Sequence, residues 1–172
     1  SHPMPRNLEL KAEVSSLRSP ANIAKQIGAR YAGTFRQTDS YFRVKNGRLK
    51  LREMGKKAEL ILYRRPDTRG NRVSNYFILP IQEVKSARAM LSSLFMKTIV
   101  VKKTRRLFLH KNARIHLDTV QRLGRFIEFE VLVTHGPKQA ARLMKYLRTA
   151  FQVSTKRTVP GSYADLLVRR VR

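Results

Sequence analysis

Hydrophobic and polar positions along the chain switch between a period of two and a helical period. Residues 7–14 (NLELKAEV) set Leu8 and Leu10 between Glu9, Lys11 and Glu13, which predicts a strand. Ser19-Pro20 then opens a helix, Ser as the cap and Pro at its first position. Ile23, Ala24 and Ile27 form its apolar stripe, and Gly28 closes it. Segments 40–45 (SYFRVK) and 48–53 (RLKLRE) flank Asn46-Gly47, a strong hairpin signal. Strands over 58–64 and 72–79 follow, on either side of a loop at 66–70. Residues 82–95 carry Val84, Ala87, Met90, Leu91 and Leu94 at helical spacing. Three further strands are read at 98–109, 113–119 and 125–134, with turns at Lys111-Asn112 and around Leu123-Gly124. Gly136-Pro137 opens a helix with Ala140, Leu143, Met144 and Leu147 on one side, and 161–167 (GSYADLL) reads as a short terminal helix.

Short connections between strands imply antiparallel pairing, and about eight strands suffice to close a barrel, which removes exposed edges. The expected class is α+β, mostly β. Neither a repeat nor a linker divides the chain, so residues 7–172 are expected to form one domain. Residues 1–6 are expected to be a tag remnant or a disordered N-terminus.

The polar faces of these strands are ionisable. Glu9 and Lys11 share a face, as do Lys50 and Arg52, Lys103 and Arg105, then Arg114, His116 and Asp118, then Glu128 and Glu130. A sheet with one wet, charged face would look similar. The sign segregation says more: paired carboxylates sit on the last strand and paired bases on middle strands. Glu128 and Glu130 repel across one strand face, and a divalent cation would relieve that repulsion with hard oxygen ligands. The basic pairs suit phosphate oxygens, Arg as a fork and Lys as a point charge.

Composition sharpens this picture in two ways. Thirty-seven Lys and Arg face eleven Asp and Glu, a net charge of +26 that attracts polyanions in general. Such a surface also serves plain solubility. Non-specific nucleic-acid binding through it is therefore an expectation, whereas a membrane span is not, since no apolar run approaches about 20 residues. The chain has no cysteine, which excludes disulfides, zinc thiolates and thiol catalysis and is compatible with the expected cytoplasmic location.

Asn7-x-Glu9-x-Lys11 resembles the ExExK signature of the CYTH family, which includes class IV adenylyl cyclases and thiamine triphosphatases. YFRVKNGRLKLRE (41–53), the strand with Lys103-x-Arg105, RIHLD (114–118), LGRFIEFE (123–130) and GSYADLL (161–167) are similar to the same family. Within it they look most like the class IV cyclase branch. The resemblance implies a closed antiparallel tunnel whose charged faces point inward around a triphosphate, with Mg²⁺ or Mn²⁺ on acidic residues. Carried over by position, Glu9, Glu128 and Glu130 are the metal candidates, with Asp118 added. Lys11, Lys50, Arg52, Lys103 and Arg105 are the phosphate candidates, and Arg64, Arg72 and Arg114 are secondary ones that a solvated Arg explains equally well. Lys11 is also the catalytic candidate. Asn7 departs from the signature, since it offers a carbonyl oxygen but no charge where the family has its first Glu.

Other residues carry two readings. His116 fits a proton shuttle or, more simply, a hydrogen-bonded structural histidine. Tyr41, Phe42, Tyr76 and Phe77 fit base stacking or strand packing. Gly161-Ser162-Tyr163 is explained by a helix cap. The expected function is a metal-dependent enzyme acting on a nucleoside or other triphosphate, with ATP cyclisation to cyclic AMP and pyrophosphate foremost. Triphosphate hydrolysis and a non-catalytic polyanion-binding module are the alternatives.

Overall fold

The computed structural model describes residues 4–64, 66 and 68–171; Ser1, His2, Pro3, Arg65, Asp67 and Arg172 lie outside the described residues. The predicted strand signals become β1 (Arg6–Val14), β2 (Arg30–Phe42), β3 (Arg48–Met54), β4 (Lys57–Arg64), β5 (Arg72–Ile81), β6 (Lys97–His110), β7 (Ala113–Val120) and β8 (Gly124–Leu132). The helices are α1 (Arg18–Gln26), α2 (Val84–Leu94), α3 (Gly136–Ala150) and α4 (Tyr163–Val171). The eight strands close into one barrel in the order β1-β5-β4-β3-β2-β6-β7-β8, every pair antiparallel.

Two elements differ from the sequence reading. The strand expected over 40–45 is the last part of the much longer β2, and Arg43–Lys45 lie beyond its end. Segment 30–39 escaped notice because its outward face is polar and its inward face is mixed. Thr34, Arg36 and Thr38 look outward while Phe35, Gln37 and Asp39 look inward, so no regular hydrophobic alternation marks it. Helix α1 starts at Arg18 with Leu17 as its cap, and no side chain caps it, so Ser19 lies inside the first turn. Gly47 is required at its turn: its φ is 88°, and a Cβ there would meet the Tyr63 carbonyl oxygen at 2.7 Å.

The barrel keeps its hydrophobic core outside. Leu10, Ile115, Leu117, Ile127, Phe129 and Val131 point outward from β1, β7 and β8 and are covered by Ala21 and Ala24 of α1 and by Leu143, Met144 and Leu147 of α3. Leu91 of α2 covers Leu49, Leu51 and Phe42 of the opposite wall. Each such Leu or Phe contributes about 1.5–3 kcal/mol by leaving water. Because most of this burial is done on the outer faces, the inner faces can carry ionisable groups beside a few apolar ones. Among the described residues no helix is long and apolar enough to cross a membrane.

The terminal helix closes one end of the barrel. Ser162 and Asp165 cap it reciprocally: the Ser162 backbone N–H donates to Asp165 Oδ2 at 2.8 Å, and the Asp165 N–H donates to Ser162 Oγ at 3.2 Å. Arg48 Nη2 donates to the same Asp165 oxygen at 2.8 Å. Tyr163, Ala164 and Leu167 then pack on Tyr41, Val101, Val120 and Phe126.

Candidate active site

Strand pleating and barrel closure bring alternate residues of all eight strands to one cavity of about 290 Å³. Six bases line it, Lys11, Lys50, Arg52, Lys103, Arg105 and Arg114, together with four acids, Glu9, Glu59, Glu128 and Glu130. Nine of the twelve sequence candidates thus converge. Of the other three, Arg72 is buried at the end of β5, where its Nη1 donates to the Gly161 carbonyl at 3.1 Å. Asp118 shares the inward parity of Arg114 and His116 but is fully buried beside the cavity, occupied by Arg105 and Tyr163. Arg64 lies exposed on the outer face of β4, apart from the cavity. Of the four aromatics, Tyr41 and Tyr76 line the cavity, Phe42 packs under α2, and Phe77 is exposed outside.

The basic wall is built on a residue that sequence reasoning missed. Asp39 of β2 is fully buried and takes a bidentate clamp from Arg52, Nε to Oδ1 and Nη2 to Oδ2, both at 2.9 Å. Lys103 Nζ donates to Oδ2 at 2.7 Å, and Lys50 Nζ lies 3.5 Å from the same oxygen. Burial pushes the Asp39 carboxyl up, but Arg52, Lys103 and Lys50 outweigh it and hold the group well below the usual carboxylate range. Asp39 therefore stays ionised and gathers three cations at one spot. Its signal in the sequence was its rarity as an acid, two residues before the cavity-facing Tyr41.

A second carboxylate does the same for Arg105. Its Nε and Nη2 donate to the two oxygens of Asp118 at 2.8 Å each, and the Tyr163 hydroxyl adds a 2.7 Å bond to Oδ2. Burial raises the Asp118 carboxyl while Arg105 lowers it further, leaving it at about 2. Lys50 behaves differently. Burial, then Arg52, push its ammonium down against the pull of Asp39, to about 8.

The acidic wall lies across the cavity on β1, β7 and β8. Register places Glu9 opposite Glu130, Lys11 opposite Glu128, and His116 opposite Glu128. His116 Nδ1 is 3.0 Å from Glu128 Oε1 and 3.8 Å from Glu130 Oε1. Lys11 Nζ is 3.5 Å from Glu128 Oε2, 3.5 Å from the Gly161 carbonyl, and 4.0 Å from the Tyr163 ring centre. Burial raises the Glu128 carboxyl, but Lys11, His116 and Arg105 together hold it well below the usual range.

These groups fit a divalent cation. Ligand atoms of His116, Glu128 and Glu130 lie within 4.8 Å of one another. The buried Asn7 donates its amide to Glu130 Oε2 at 3.4 Å, and its carbonyl oxygen has no hydrogen-bond partner among the described residues. An unsatisfied buried acceptor beside two carboxylates is costly unless a ligand takes it up. A further sector of the cavity is apolar, formed by Phe35, Met54, Ile61, Ile78 and Leu107.

A model of the CYTH domain matches residues 5–163. The chain belongs to the CYTH family. No curated protein sequence matches this CYTH chain significantly. Among solved structures it is similar to the PH1012 protein of Pyrococcus horikoshii OT3, at 22% identity and TM-score 0.84 over 93% of this chain and 98% of that one. A candidate adenylate cyclase from Vibrio parahaemolyticus matches at 22% identity and TM-score 0.77, covering 97% of this chain and 99% of that one. HpAC1 from Hippeastrum, a candidate adenylyl cyclase reported with a dominant triphosphatase activity, matches at 15% identity and TM-score 0.67 over 98% and 96%. At these identities the likeness is one of fold, shared by the CYTH barrel described above.

Proposed function

We propose that this chain is a metal-dependent enzyme acting on a triphosphate held inside the barrel, with ATP converted to cyclic AMP and pyrophosphate as the leading reaction. The observation that carries the reading is one cavity in which Lys50, Arg52, Lys103 and Arg105 cluster on β3 and β6 while Glu9, Glu128 and Glu130 cluster on β1 and β8, with Lys11 and Arg114 interleaved among those acids. Carboxylates facing a phosphate site repel the ligand unless a cation lies between them. The names of the CYTH relatives, cyclase and triphosphatase, agree with a triphosphate ligand.

In this reading Arg52, Lys50, Lys103 and Arg105 bind the phosphate chain and absorb charge as it develops on the leaving group. Asp39 and Asp118 do not touch substrate; they hold those bases in place. The metal would be held by Glu128 and Glu130, with Glu9 beside them, and would act as a Lewis acid on phosphate oxygens. Lys11, beside Glu128, is the catalytic candidate: its ammonium must first give up a proton to solvent, and the neutral amine then takes the proton of the attacking ribose 3′-hydroxyl as the bond to the α-phosphorus forms and pyrophosphate leaves. The apolar sector around Phe35, Ile78 and Leu107 gives a nucleoside a place to lie, which favours a nucleoside triphosphate over an inorganic one.

The test is incubation with ATP, GTP, thiamine triphosphate and inorganic tripolyphosphate plus Mg²⁺ or Mn²⁺, separating cyclic nucleotide, pyrophosphate and monophosphate. Cyclic AMP plus pyrophosphate is expected. Orthophosphate release from the γ-position would assign hydrolysis instead, and turnover undiminished by excess chelator would sink the metal-dependent reading.

Lys50 gives this site a pH signature. Its ammonium titrates near 8 in the free protein, and a bound polyanion favours the charged form. Below pH 8 Lys50 is already protonated and binding takes up no proton through it. As pH rises through 8, binding must recruit one, so affinity falls by up to about tenfold per pH unit. Calorimetry in buffers of different ionisation enthalpy is expected to show more proton uptake at pH 9 than at pH 7, and Lys50→Gln is expected to reduce it; burial also pushes the neighbouring Lys103 ammonium well down against the pull of Asp39, so the remainder belongs to Lys103. Equal uptake in the variant would assign the effect elsewhere.

The polyanion-binding alternative draws on a separate observation. Twenty-five Lys and Arg among the described residues are exposed, against Glu13 and Glu83 as the exposed acids. This shell is expected to bind RNA weakly and without sequence preference, with binding lost steeply as salt rises. Triphosphate binding in the cavity is expected to be far less salt-sensitive, because short charge-assisted bonds hold it. Equal salt slopes, with triphosphate displacing RNA, would make the shell and the cavity one site.

A further inference from the structure

We propose that His116 is a metal ligand, so that the acidic wall takes a first-row transition-metal dication of the Mn²⁺ class in a mixed nitrogen and oxygen shell, in preference to Mg²⁺. The inference deepens the metal site of the function proposed above and rests on that part of it.

The geometry places a nitrogen where an all-oxygen site would have none. His116 is buried on β7, between the β6 residue Leu107 and the β8 residue Glu128 in register. Its Nδ1 stands 3.0 and 3.8 Å from one oxygen each of Glu128 and Glu130. Ligands about 2.0–2.2 Å from a common ion are separated by such distances. Of the neighbouring cations, Arg105 reaches the oxygen that faces His116, but at longer range than its own clamp. Lys11 approaches Glu128 through Oε2, leaving Oε1 toward His116. Arg105 is clamped by Asp118 at 2.8 Å and stands 3.6 Å from Glu128 Oε1.

Asn7 supplies the independent observation. It is 4% exposed, lines the same cavity, and its carbonyl oxygen lacks a partner while its amide is anchored to Glu130. A dication here would meet two carboxylates and two neutral donors, the imidazole and the amide oxygen, so the charges of ion and ligands balance. In the metal-free protein the contact between Nδ1 and Glu128 orients the ring; an ion bound at Nδ1 would require the ring proton on Nε2. Mg²⁺ requires oxygen ligands and retains its waters, whereas imidazole binds the later first-row ions more strongly.

The experiment uses the full chain and Mn²⁺ as probe. Pulsed electron paramagnetic resonance of the Mn²⁺-loaded protein is expected to show a ¹⁴N coupling from a directly bound imidazole. His116→Gln is expected to abolish the coupling and to weaken Mn²⁺ binding at least tenfold, while Mg²⁺ affinity measured by competition changes less than threefold. Mn²⁺ bound without nitrogen coupling, an unchanged Mn²⁺ to Mg²⁺ ratio in a folded His116→Gln, or no Mn²⁺ binding below millimolar each overturns the proposal. Should the variant fail to fold, the coupling in the unmodified protein decides. Nitrogen coupling with no turnover of any triphosphate would sink the function and leave this site standing. Turnover with Mn²⁺ bound through oxygen alone would do the reverse.

Discussion

Asp39→Ala is expected to destabilise the protein by about 3–5 kcal/mol, because it leaves Arg52, Lys103 and Lys50 facing one another without their shared carboxylate. For a chain of this length that is roughly a 6–20 °C fall in melting temperature. Inorganic tripolyphosphate is expected to restore most of the loss, since it supplies negative charge to the same three bases. That recovery separates a ligand cradle from an ordinary buried ion network, which a soluble anion would not rescue. A fall of less than 1 kcal/mol, or a full loss untouched by tripolyphosphate, would overturn the role given to Asp39. The unmodified protein carries a linked acid response. The Asp39 carboxyl is held well below its unfolded range, so its contribution is complete above the unfolded carboxylate pKa of about 4 and is lost as pH falls below that. Denaturation measured between pH 5 and pH 2 should show that loss, and Asp39→Asn should flatten it.

Glu130→Gln is expected to lower triphosphate turnover by about 100-fold or more while leaving the melting temperature unchanged or slightly raised. The substitution keeps size and one carbonyl oxygen but removes a ligand charge, and a 100-fold loss corresponds to about 2.7 kcal/mol of transition-state stabilisation. Stability is spared because Glu130 is among the less buried of the inner acids, at 16% side-chain exposure, and the like-charged Glu9 opposite it on β1 offsets Arg114 opposite it on β7. Steady-state kinetics beside a thermal melt reads both quantities. Turnover within threefold of the unmodified protein would show that Glu130 is a solvated carboxylate and not part of the metal site. Excess Mn²⁺ should recover part of the loss, since a weakened site fills again at higher ion concentration.

The ionisable residues legible in advance were those lying opposite an apolar partner in a two-residue alternation. Leu8 and Leu10 mark Glu9 and Lys11, Leu49 and Leu51 mark Lys50 and Arg52, and Ile127 and Phe129 mark Glu128 and Glu130. In each case the outer face must bury apolar surface beneath a helix, so the hydrophobic period itself discloses the inner face. Asp39 and Gln37 lack that marker, because β2 there has no helix over it and its outer residues are Thr34, Arg36 and Thr38. Arg64 shows the converse. It follows a well-marked strand, but its parity is that of the outward Leu60 and Leu62, which places it outside.

Alternation along single strands, turn chemistry at Asn46-Gly47 and Lys111-Asn112, and helical stripes such as Leu143, Met144 and Leu147 are local properties, and the sequence alone settled them: an antiparallel, mostly β chain with one charged strand face and helices to cover the other. Which way that charged face points is not a local property. A sheet with its polar side in water has the same alternation as a barrel with its polar side within. Only the closure of β1 onto both β5 and β8 turned those faces into a cavity. Closure also decided the partners. Asp39 meets Lys103 from 64 residues away and Lys11 meets Gly161 from 150, and whether a base is clamped by a buried carboxylate or left free for a ligand follows from such distant contacts. Charge pairing depends on separations of a few ångströms in a medium of low polarity, and the fold alone sets those separations.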